Sequence, residues 1–179
     1  MDAAQAALDN YDFERATAAY RLAIRCSKGQ IDTISAFTLF LEENLADYEE
    51  IAELLSSPSI DLSRHINLKK KYAHALFHVG FREAKPHYID ILQTEKDALV
   101  LSRLAAIEMD DGDFLKAKEK LESSVRMAPS DTEAQALLAQ CTQTLALNAA
   151  ELMLQAQGAF ESGDLEAARL ACELAANTR

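Results

Sequence analysis

The stretch DDGDFLKAKEKLESSVRMAP, residues 110–129, is the best-formed element of the chain. Gly112 and Asp113 make a tight turn, and Phe114 packs as a helix begins. Ala117 is small enough for close helix approach. Leu121 and Val125 continue an apolar stripe at helical spacing, and Pro129 stops the helix.

The same order recurs. It reads Asn10-Tyr-Asp-Phe-Glu-Arg-Ala16 followed by Tyr20 and Ile24, and Ala46-Asp-Tyr-Glu-Glu-Ile51 followed by Leu55. It returns as Gly80-Phe-Arg-Glu-Ala84 with Tyr88 and Leu92, and as Gly163-Asp-Leu-Glu-Ala-Ala168 with Cys172. Positions 16, 51, 84, 117 and 168 mark the copies, at intervals of 35, 33, 33 and 51 residues. A period near 34 built from two helices is a repeat-solenoid signature.

Composition agrees with a helical chain. Of the 179 residues 49% are apolar, with no tryptophan, five glycines and three prolines. No apolar run approaches the roughly 20 residues of a membrane span. The N-terminus shows no secretory pattern, so a cytoplasmic chain is expected. A net charge of −11 argues against general nucleic-acid binding, which needs cations to neutralise phosphates. Cys26, Cys141 and Cys172 lack metal-ligand spacing and are expected as small buried residues in a reducing compartment.

Gly112-Asp-Phe-Leu-Lys-Ala117, with Leu121 and Pro129, resembles the second helix of a tetratricopeptide repeat, and Leu101, Leu104 and Ala105 fit that family's first helix. The resemblance extends over nearly the whole chain, with Ile51 in place of the family's alanine and no first-helix tryptophan. It implies an all-α, right-handed α-solenoid forming a single domain over 1–179. Its repeats fall near 1–28, 32–57, 64–95, 97–129 and 131–179.

The expected helices are a short one to about Asn10, then 13–27, 33–45, 48–56, 64–79, 82–94, 97–110 and 114–127. Ser57-Pro58-Ser59 is a turn, Ser63 an N-cap, and Pro86 falls near the end of a first helical turn. Ser130-Asp-Thr-Glu133 reads as a capping box opening another helix. From there Ala134, Leu138, Cys141, Leu145, Ala149, Leu152, Ala156 and Phe160 follow by three or four without a slip. One extended helix over about 132–161 is favoured. The alternative is two helices divided at Asn148, where Asn148-Ala-Ala-Glu151 forms a second capping box. Both ends look cut, so a fragment of a larger protein, or association through the ends or the long helix, is expected.

Charge is uneven. Residues 29–63 carry eight acids and no Lys or Arg, and residues 131–168 carry six acids and no base. Between them, residues 64–89 carry Arg64, Lys69, Lys70, Lys71, Arg82 and Lys85 against Glu83 alone. Two readings stand: solvated faces with attraction between neighbouring repeats, or a docking spot at Lys69, Lys70 and Lys71 for an acidic peptide. The four histidines, His65, His74, His78 and His87, lie in the same repeat. His74 and His78 share a helix face, but no HExxH pattern or nearby carboxylate supports a metal, so weak pH sensitivity is the expectation there.

No phosphate-cradling or nucleophile motif is present, and neither an enzyme nor a cofactor is expected. The tetratricopeptide resemblance implies a concave groove lined by first helices and holding a partner's peptide or helix. By that analogy its residues are Phe40, Glu43, Asn44, Lys69, Phe77, Ser102, Met109, Glu133 and Gln140. The Lys-x-x-x-Asn clamp for chaperone C-termini is not expected, because Ala73 follows Lys69 where it needs asparagine. The functional expectation is a protein–protein interaction scaffold. Alternatives are a regulatory or sensor domain of a larger enzyme or secretion assembly, and a dedicated chaperone.

Overall fold

The computed structural model describes residues 2–8, 10–27 and 30–177. Met1 and Lys28, the edges of the first repeat as read, lie outside them, as do Thr178 and Arg179 of the end read as cut. The described residues are helical and contain no strand, and none of their helices is long and apolar enough to cross a membrane. The chain divides into two compact units, Met1–Ile91 and Leu92–Arg179, with the division inside one helix.

The first unit holds α1 (Asp2–Leu8), α2 (Phe13–Cys26), α3 (Ile31–Phe40), α4 (Tyr48–Leu55), α5 (Ile66–Val79) and most of α6 (Ala84–Thr94). The second holds α7 (Ala98–Asp110), α8 (Phe114–Met127), α9 (Thr132–Glu161) and α10 (Leu165–Asn177). The bounds of α8 and the unbroken α9 agree with the sequence reading. At 30 residues, α9 runs straight through Asn148 and is about 45 Å long.

Four of the five turns share one backbone device. Tyr11, Ala46, Gly112 and Gly163 each adopt positive φ, at 56°, 49°, 84° and 84°, and each is followed by aspartate. Each stands five residues before a marker position. At the α7–α8 turn the Gly112 N–H bonds the Met109 carbonyl, and the Asp113 N–H reaches back to Glu108 at 2.7 Å. At the α9–α10 turn Gly163 bonds Phe160 and Asp164 reaches Ala159 at 2.9 Å. This pattern satisfies carbonyls that a helix end leaves without partners.

The aspartate then starts the next helix. Asp12 accepts from the Arg15 N–H, Asp47 from Glu50 and Asp164 from Ala167, while Asp113 instead takes the Lys116 ammonium at 2.8 Å. The turn at Gly80 lacks both positive φ and an aspartate, and its marker, Ala84, follows after four residues rather than five.

Before Ala46 the chain makes a π-helical turn, Leu41–Leu45, so the Asp47 N–H reaches six residues back, to Leu41, instead of five. That absorbs one inserted residue in the longest of the first three intervals. Two caps differ from expectation. The Ser63 hydroxyl and N–H are both taken by Asp61, and α5 starts later, at Ile66, after a short turn at Leu62–Arg64. Asp131, not Ser130, caps α9 by accepting from Glu133 and Ala134, a position where the helix dipole favours a carboxylate.

All five marker residues, Ala16, Ile51, Ala84, Ala117 and Ala168, are buried. In the first unit Tyr20 stacks on Phe37 and Phe40 at 5.3 and 5.4 Å, above Ile34, Leu41, Ile51 and Leu55. In the second unit Ala105, Ala117, Leu121, Cys141 and Leu145 form a core joining α7, α8 and the first half of α9. The Ser124 hydroxyl donates to the Ala98 carbonyl at 2.7 Å and fixes α8 against the start of α7.

A side chain added at Gly112 meets nothing within 4 Å, so its conformation alone sets the cost of replacement. Gly112→Ala should therefore lower stability by about 1–2 kcal/mol, and Ala46→Gly should raise it by about 1 kcal/mol. Urea midpoints at unchanged slope measure both. A Gly112→Ala protein as stable as the parent would contradict the left-handed turn.

Candidate functional site

The residues expected to line a groove have unequal fates. Phe40 is 3% exposed and belongs to the aromatic stack of the first unit, which corrects its assignment to an open face. Ser102 is likewise buried, its hydroxyl donating to the Leu99 carbonyl at 2.9 Å, and is corrected for the same reason. Glu43 and Asn44 are exposed on the π turn, where the Asn44 amide donates to the Phe40 carbonyl. Phe77 is half-buried against Phe81 and Tyr88. In the second unit Met109 packs on the core, Glu133 is exposed and holds Arg103 in a two-point ion pair, and Gln140 is exposed.

Two lysines of the basic stretch are drawn into ion pairs, while Arg64 and Arg82 are exposed. Lys71 pairs with Glu42, joining α5 to the π turn, and Lys69 pairs with Asp90, joining α5 to α6. Their side chains are only 24% and 14% exposed, and Lys70 is half-buried. Attraction between neighbouring elements accounts for these charges, and the arrangement does not present three free ammonium groups to an acidic peptide. His78 stacks on Tyr48 at 4.0 Å, with His74 edge-on to both. Among the described residues no group of three or more His, Cys, Asp or Glu side chains is placed to hold a metal.

An open feature lies in the second unit, between the last half of α9 and α10. It is an apolar groove of about 760 Å³. Ala156 and Ala168, both buried, form its floor. Leu154, Phe160 and Leu165 stand on its rim at 70%, 67% and 65% exposure, with Met153 beside them at 50%. Single exposed apolar side chains are ordinary, but a contiguous set around a groove marks a binding surface. Burying each of these side chains would contribute about 1.5–3 kcal/mol.

Sequence reasoning reached part of this surface. The stripe from Ala134 to Phe160 is continuous, yet only its first half, through Leu145, packs into the core described above. Past Ala149 the stripe supplies Ala156 and Phe160 to the groove, whose other α9 residues, Ala150, Met153, Leu154 and Gln157, lie off it. Its sequence signal is the set of large apolar residues at 153, 154, 160 and 165 among acids.

The cysteines divide along the same line. Cys141 is buried and donates to the Phe114 carbonyl at 3.2 Å, and burial pushes its thiol up from the ordinary range. Cys26 and Cys172 are exposed, which corrects the expectation that all three are buried. Cys26 is the last residue of α2, and Cys172 faces the open groove.

Neither the models of known protein families nor the curated proteins give a match to this sequence.

Two outcomes follow from these environments. Under native conditions Cys26 and Cys172 should react with a thiol reagent within minutes, and Cys141 only after denaturant is added. Three thiols reacting together would contradict the packing of Cys141. One of the four histidines, His87, has its pKa lowered by burial and by Lys69. The unfolded chain then binds more protons than the folded one in the window below about pH 6.5. Stability should be complete above that pH and fall on acidification, and His87→Gln should flatten the slope. An unchanged slope in the variant would assign the acid sensitivity to other groups.

Proposed function

We propose that this chain is a non-catalytic interaction module, an array of tetratricopeptide-like helix pairs stacked as a right-handed solenoid, that binds a helix or peptide of another protein. The observation that carries this reading is the open apolar groove of α9 and α10, where Leu154, Phe160 and Leu165 are each about two-thirds exposed above an alanine floor. Supporting it, the marker residues at 16, 51, 84, 117 and 168 are all buried, and four of the five turns share the positive-φ residue and aspartate. Such a construction makes repeated, similar clefts between helix pairs, and a partner element enters a cleft that no helix of the array fills.

The binding surface in this reading is the apolar groove and not the basic stretch. Lys69 and Lys71 act as ion pairs within the first unit, with side chains that are mostly covered.

A tagged protein and its Leu154→Glu/Phe160→Glu variant would test this by capture from a cell extract, with circular dichroism and thermal unfolding matched between the two. Loss from the variant of a stoichiometric partner is expected. Identical partners at identical yield would reject the groove as the binding surface.

A further inference from the structure

Shifting residue numbers by 51 maps the α7–α8 pair onto the last half of α9 with α10. Gly112 maps to Gly163, with the same φ of 84° and the same pair of closing hydrogen bonds. Ala105 maps to Ala156 and Ala117 to Ala168, small and buried in both pairs. Met109, Phe114 and Leu121 map to Phe160, Leu165 and Cys172. The open groove is therefore the translated copy of a cleft that is occupied elsewhere in the same unit.

The occupant of the α7–α8 cleft shows what shape the groove accepts. It is the first half of α9, which presents Ala134, Leu137, Leu138, Cys141 and Leu145 along one face. Among the described residues no helix takes the equivalent place against Ala156, Ala168 and Cys172. The two clefts differ at one informative position. The occupied one offers Arg103, which binds Glu133 of the incoming helix, whereas the open one has Leu154 there. Arg169 is the charged residue of its lining, and beyond the lining the exposed residues of 147–177 include Glu151, Glu161, Asp164, Glu166 and Glu173.

We infer that the groove binds an amphipathic helix of a partner protein, with a stripe of alanine and leucine at three- and four-residue spacing. Lysine or arginine flanks that stripe, and an apolar residue stands where α9 has Glu133. This rests on the reading of the chain as an interaction module. The helical form follows from the occupied cleft, and the cationic flanks follow from charge complementarity with the exposed acids that lie outside the lining on α9, α10 and the turn between them.

The probe is a fluorescent peptide of residues 131–147 carrying E133L, Q135K, Q140K and Q143K, changes at positions exposed on α9. Its binding to the full chain is followed by anisotropy. Three arms accompany it: the peptide with A139P, which breaks the helix while keeping the stripe; the peptide with glutamates in place of its lysines; and the L154E/F160E protein. Each change is expected to weaken binding about tenfold or more, the charge effect fading in high salt. Equal binding of the A139P peptide, or no dependence on Leu154 and Phe160, overturns the assignment. A groove-dependent dimer that excludes the peptide also overturns it, in favour of a second copy. If no peptide binds but capture from extract still depends on Leu154 and Phe160, the helical occupant fails and the interaction-module reading survives. If neither depends on them, both fall.

Discussion

The structure depends first on a backbone turn in which one residue adopts left-handed φ and the next is aspartate. The left-handed residue lets two N–H groups close the preceding helix, and the aspartate supplies the acceptor or ion pair that opens the following one. Both helix ends are satisfied within a few residues, so the two helices leave the turn in a defined relation and their small residues come together. Glycine suits the first position, yet Tyr11 and Ala46 also occupy it. Both are exposed, and each carries the conformational cost that glycine avoids there.

What the turn aligns, side-chain size then packs. Alanine at 16, 84, 117 and 168 removes bulk where helices meet, and larger residues fill the spaces alongside. Charges contribute in a second way. Lys69, Lys71, Arg21 and Arg103 each bind a carboxylate on another element of their own unit. Two cations of the basic stretch, Lys69 and Lys71, are thereby held in ion pairs within the first unit.

The second unit holds two versions of one cleft, one filled and one open. In the filled version the leucines of α9 pack on the core and Cys141 is buried; in the open version the matching surface faces solvent and Cys172 with it. The difference arises from what lies beside the helix pair, because the pair itself is built alike in both places.

Much of the fold was legible in the chain order alone. The marker positions, the glycine turns, the limits of α8 and the continuity of α9 all follow from hydrogen bonding and periodicity acting over a few residues, and such local rules can be read from neighbours in sequence. Phe40, Ser102, Cys26 and Cys172 could not be placed that way, nor could the partners of Lys69 and Lys71. Each depends on which distant element covers or meets it: Phe40 on Tyr20, Lys71 on Glu42, Cys172 on a helix that none of the described residues provides. The sequence by itself determined where helices begin, end and narrow. Only the tertiary structure decided which apolar faces are covered, because burial belongs to the packing of elements far apart in the chain and not to any residue's own pattern.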